Sequence, residues 1–229
     1  MTRSRRIARS VGTLMLAAFP LYSIGSSIAT TASPGPLLVS GVAAMLLNSV
    51  AVVAIGVLML PVLRPHAPKV AAGYLATRIF EGTFLAVGAA ALLVGAADID
   101  SFAYNIAMAG LGVGSLFFCA ALYRSRLVPR FLAVWGFIGY GALAVGCFLD
   151  LAGVAGAGLV SMVPGGLFEL VFAIWLIARG FGPTSTNASR GDFAGLDHAS
   201  GPGEAAPARA GIEPGRGKSS AAMSLETPR

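Results

Sequence analysis

Six apolar runs, flanked by charges that switch character in strict alternation, constrain this chain more than any other feature. A helix needs about 20 residues to cross a ~30 Å hydrocarbon core. Runs at residues 11–29, 37–63, 70–97, 102–123, 131–153 and 157–178 meet that requirement. The second and third exceed it, so they tilt or extend past the hydrocarbon. Arg3, Arg5, Arg6 and Arg9 precede the first run, Arg64 and Lys69 lie between the second and third, Arg124, Arg126 and Arg130 between the fourth and fifth, and Arg179 follows the sixth. The alternate connectors hold no Lys or Arg and are assigned Asp98, Asp100 and Asp150 instead. Basic residues stay on the cytoplasmic side of a bilayer. The pattern therefore predicts six spans with both termini in the cytoplasm, at the cell's inner (plasma) membrane.

Composition agrees with a lipid solvent. The chain is 56% hydrophobic and 11% charged, with a mean hydropathy of +0.78, whereas soluble domains run at about 25% charged. The expected fold class is all-α: an integral membrane six-helix bundle over residues 1–181, with the bilayer as its first partner. The net charge of +6 sits at the ends of apolar runs, where topology needs it, which argues against a nucleic-acid partner. Prolines at 34, 36, 65, 68 and 129 punctuate the connectors, stopping one helix and starting the next. Residues 3–33 also resemble a secretory signal peptide, whose cleavage would leave five spans. Pro20 and the ~19-residue apolar length favour a retained helix. From residue 182 to 229, Gly, Pro, Ala and Ser dominate without apolar periodicity, and a disordered cytoplasmic tail is expected.

The junction between the fourth and fifth runs reads Ala121-Leu122-Tyr123-Arg124-Ser125-Arg126-Leu127-Val128-Pro129-Arg130, then Phe131-Leu132-Ala133-Val134-Trp135-Gly136. The last run contains Pro164-Gly165-Gly166-Leu167-Phe168-Glu169-Leu170 and ends Trp175-Leu176-Ile177-Ala178-Arg179-Gly180. With Tyr74, Arg78 and Glu81 in the third run, the chain resembles the uncharacterised bacterial multi-pass family known as domain of unknown function 4386. The resemblance covers roughly residues 3–181. It implies a six-helix bacterial inner-membrane protein and carries no activity with it.

Three ionisable side chains fall well inside the runs: Arg78 and Glu81 in the third and Glu169 in the sixth. Such groups at membrane depth are costly and mark functional or interhelical sites. At ~1.5 Å per residue from the cytoplasmic ends, Arg78 lies ~12 Å deep, Glu81 ~17 Å and Glu169 ~14 Å. Arg78 and Glu81, three apart, share a helix face. One interior cluster of Arg78, Glu81 and Glu169 is therefore expected, suited to a proton, a cation or a cationic ligand group. The alternative is an interhelical polar lock between the third and sixth spans. Tyr140 falls at ~14 Å by the same rise; a hydroxyl on a backbone carbonyl is preferred over one on the carboxylates. Asn48, nearer the bilayer centre, is expected to form an interhelical hydrogen bond. Asp98, Asp100 and Asp150 are read as a solvated outer boundary.

The chemistry these residues exclude is broad. His66 and His198 lie outside the runs, which removes bis-histidine haem, histidine-held zinc and a Ser–His dyad. No metal and no cofactor is expected. Cys119 and Cys147 differ by ~18 Å of depth at the helical rise, beyond disulfide reach. Gly110 and Gly114, and the glycines at 136, 139, 141 and 146, read as close helix packing. The leading functional expectation is binding or transport of an ion or small molecule at the Arg78–Glu81–Glu169 layer, without enzymatic chemistry. Against transport, Gly and Pro interruptions are not paired between the two halves. A structural subunit of a membrane complex, with a protein partner and the cluster as lock, is the second reading. An intramembrane acid–base enzyme is the third, with no nucleophile or oxyanion donor to accompany the carboxylates.

Overall fold

The computed structural model describes residues 3–182. The tail expected over residues 182–229 lies, apart from Gly182, outside them. Among the described residues six α-helices form: α1 (Arg3–Thr31), α2 (Pro36–Leu63), α3 (Pro68–Leu92), α4 (Ala97–Ser125), α5 (Arg130–Leu151) and α6 (Ala157–Ala178). All six are long and apolar enough to cross a membrane. Pro36 and Pro68 open α2 and α3, where a missing N–H removes no helical hydrogen bond. Gly95, Gly153 and Gly156 turn the chain with positive φ, a region open to a residue without Cβ.

Several boundaries depart from expectation: α1 starts at Arg3 rather than 11, α3 ends at Leu92 rather than 97, and the acidic residues lie within helices. α4 starts at Ala97 rather than 102, so Asp98 and Asp100 belong to its first turn. Carboxylates favour that position because the helix dipole is positive there. Asp100 is buried, close against Gly88 of α3, so it is no part of a solvated boundary. Asp150 lies in the last turn of α5. Its carboxylate accepts hydrogen bonds from the N–H groups of Ala157 (3.1 Å) and Gly158 (2.8 Å), capping α6 from the preceding helix.

The helices form a ring in chain order, α1 to α6, closed where α1 meets α6. Short connectors make neighbours antiparallel. One end of the ring, the basic end, therefore carries the start of α1, the α2–α3 and α4–α5 connectors and the end of α6. Large apolar side chains face outward, Val50, Phe117 and Val160 among them, while Asn48, Arg78, Glu81 and Ser115 are buried. That distribution inverts the habit of water-soluble proteins and suits a lipid surround.

Small residues set the helix spacing. Gly110 and Gly114 of α4 receive Phe80 and Thr77 of α3. Gly139 of α5 lies against the backbone of α6, where a Cβ would come within 2.8 Å of the Gly165 Cα. α1 changes partners along its length. Near the basic end Gly12 packs on α6, with room for no Cβ before the Ala173 carbonyl at 2.6 Å. Toward the opposite end Gly25 packs instead on α2, where a Cβ would lie 2.9 Å from the Gly41 carbonyl.

Candidate functional site

The centre of α3 presents Tyr74, Arg78 and Glu81 on one face, the spacing at which helical side chains meet. The Arg78 Nε donates to the Tyr74 hydroxyl at 2.9 Å and Nη1 donates to Glu81 Oε2 at 2.9 Å. Gly56 of α2 lets the two helices close on this point, since a Cβ there would stand 2.8 Å from the Arg78 Cβ. From across the ring, α5 supplies Tyr140, whose hydroxyl donates to Glu169 Oε1 of α6 at 2.5 Å. The Arg78 Nη2 stands 3.7 Å from the same oxygen. That is an ion-pair distance but too long for a hydrogen bond.

The structure thus brings Arg78, Glu81 and Glu169 together, with Tyr140 completing the group. Tyr140 bonds a carboxylate and not the backbone carbonyl expected from sequence; the close approach of α5 and α6 at Gly139 brings Glu169 within its reach. Tyr74 was missed as a member. Its signal was present in the sequence, one helical turn before Arg78.

The group is unevenly satisfied. Arg78 and Glu81 are 2% and 3% exposed, while the Glu169 side chain retains 19%. The buried Arg78 Nη2 has no hydrogen-bond partner. Buried donors are normally paired, and leaving one unpaired is costly. The Asn48 side chain, also buried, makes no hydrogen bond among the described residues, so the expected interhelical bond does not form. Both residues line a cavity of about 570 Å³ whose walls include Arg78, Glu81, Glu169, Tyr140 and Asn48. Its size falls within the ~300–1,000 Å³ range of small-molecule pockets.

Aromatic rings pack around the cluster, and Tyr22, Tyr104 and Tyr140 among them reach the cavity wall. On the basic-end side, Tyr74 stacks on Phe118 (4.3 Å between centroids), Phe118 meets Phe172 edge-on, and Phe172 stacks on Phe168 (5.4 Å). Phe168 meets Tyr140 edge-on at 5.6 Å, completing a floor beneath the cluster. Toward the opposite end, Tyr22 of α1 stacks on Tyr104 of α4 at 5.4 Å, and the Tyr104 hydroxyl donates to the Met162 sulfur at 3.1 Å. The walls are mostly apolar, with polar groups at the cluster, at Asn48 and at Ser23, Ser26 and Ser27 of α1.

The sequence matches the family model described as a domain of unknown function, DUF4386, in two stretches, residues 27–97 and 89–180. No curated protein and no solved structure shows significant similarity to the chain. The matched stretches run from the end of α1 to the end of α6, span more than half of the 229 residues, and include every member of the buried cluster: the chain belongs to the DUF4386 family.

Proposed function

We propose that this is an integral membrane protein with both termini cytoplasmic, which binds an ion or small molecule at Arg78, Glu81 and Glu169 without transforming it. The observation that carries the reading is the cavity: Arg78, whose enclosed Nη2 finds no acceptor in the protein, Asn48, whose side-chain amide is unpaired, and Glu169, whose carboxylate is partly exposed, all line one open space. A purely structural polar network satisfies its own donors, since a half-satisfied one is worse than an apolar core. The second reading, an interhelical lock in a subunit of a membrane complex, draws on the short Tyr140–Glu169 bond between α5 and α6. The lock once expected between α3 and α6 has less support. These helices are not ring neighbours, and Arg78 and Glu169 do not share a hydrogen bond.

Thermal unfolding of the wild type, Arg78→Gln, Glu81→Gln and Glu169→Gln in mild detergent separates the two readings. Arg78→Gln leaves two carboxylates without their counter-ion and should lose about 3–5 kcal/mol under either reading, while Glu81→Gln, which leaves Arg78 only the more distant Glu169, should lose less. Glu169→Gln decides. Its amide oxygen still accepts from Tyr140, so a binding site held at a cost to stability predicts melting at or above the wild type. A lock predicts that all three variants melt markedly lower.

A further inference from the structure

An aromatic layer packs below the cluster toward the basic end and the Tyr22–Tyr104 stack crosses the ring toward the other, while the cavity reaches surface residues on the flank between α1 and α6. α1 contacts α6 tightly at Gly12 and then leans toward α2 at Gly25, which leaves a slot between the outer half of α1 and the first half of α6. Phe19 and Gly166 mark its lower corner, still within ordinary contact at 3.8 Å from a Gly166 Cβ position to the Phe19 ring. Beyond them Ser23, Ser27, Val163 and Leu167 line the cavity and are also exposed on the outer surface, which is the face turned to lipid. Both helices of the slot carry an internal proline, Pro20 and Pro164. Each removes one backbone rung where the helices part.

We infer that the occupant is a neutral, hydroxyl-bearing single-chain lipid that enters sideways from the bilayer through the α1–α6 slot, its head on Arg78 and Glu169 and its chain along the apolar walls. The inference rests on the binding reading above. The chemistry of the polar wall selects the head. The Arg78 Nη2 needs a hydrogen-bond acceptor, which an alkylammonium lacks. Two carboxylates against one guanidinium disfavour an anionic head. A hydroxyl both accepts and donates, so it serves Arg78 and Glu169 together. The drug-sized cavity and its mostly apolar walls account for a single chain.

The test uses the full chain in phosphatidylcholine nanodiscs with a monoacylglycerol bearing a photoreactive diazirine on its chain. Labelling should concentrate on α1 and α6 peptides. Unlabelled monoolein should compete at least tenfold better than oleic acid or oleylamine. Glu169→Gln, and separately Ser23→Trp to obstruct the slot, should each lower labelling at least fivefold with no fall in unfolding temperature; Ser40→Trp, on the outer surface of α2, should not lower labelling. Labelling spread evenly over the outward faces of all helices and indifferent to Glu169→Gln overturns the inference. If unfolding then responds to sodium ion or glycerol in a Glu169-dependent way, the binding reading survives and only the lipid fails. If no addition acts through Glu169, both fall.

Discussion

The carboxylate of Asp150 reaches across a turn to hold two amides at the start of α6, and no residue at the cap position of α6 itself does this. Asp150→Ala should therefore lower unfolding stability by about 0.5–2 kcal/mol, the usual loss on removing a helix cap. Asp150→Asn, which keeps an acceptor oxygen, should retain most of it; equal losses in denaturant titrations would argue against capping. At this scale the sequence was informative where depth alone decides. Counting helical rise from the basic ends placed Arg78, Glu81 and Glu169 in one layer, and they meet. It was uninformative where a partner depends on helix rotation. The Tyr140 hydroxyl, the Asn48 amide and the Asp100 carboxylate each took surroundings set by which face a neighbour turned inward.

Glycines decide how closely the elements approach, and their neighbours tell them apart. Nothing lies within 4 Å of a Cβ added at Gly73 in α3, so Gly73→Ala should stabilise by ~0.5–1 kcal/mol through helix entropy alone. Gly139→Ala drives a methyl into the α6 backbone and should destabilise by about 1–3 kcal/mol. Gly141→Ala, whose nearest neighbour is Leu116 at 3.8 Å, serves as the matched control on the same helix; a loss there equal to that at Gly139 would sink the packing explanation. Element existence was readable from apolar length, and α6 from its start at Ala157 to its end at Ala178. The start of α4 was not, because a hydropathy reading ends a span at the first carboxylate, whereas helix electrostatics welcome Asp98 and Asp100 in a first turn.

For the molecule as a whole, six apolar runs translate directly into six helices, yet the ring order could not be read. Both the interior and the outward surface are apolar, so no periodic stripe reports which side each helix buries. The side of the membrane on which each connector lies is open to direct measurement. With Cys119 and Cys147 buried, a cysteine introduced at Ser33 should react with an impermeant thiol reagent on intact cells. One at His66 should react only after permeabilisation. The opposite pattern would reverse the orientation derived from the basic residues.

The Arg78–Glu81 pairing within one helix also bears on how the chain is made. Glu169 is synthesised roughly ninety residues after Glu81, and at ~5–20 residues per second that is a wait on the order of 5–20 s. Throughout it, α3 has neither its cross-ring carboxylate nor a closed ring around it. On the membrane reading proposed above, an arginine three residues from its own counter-ion would be neutralised during that interval, letting α3 leave the insertion machinery before its final neighbours exist. Separating the pair along the chain would then lower the yield of inserted protein even if the finished molecule kept the same contacts.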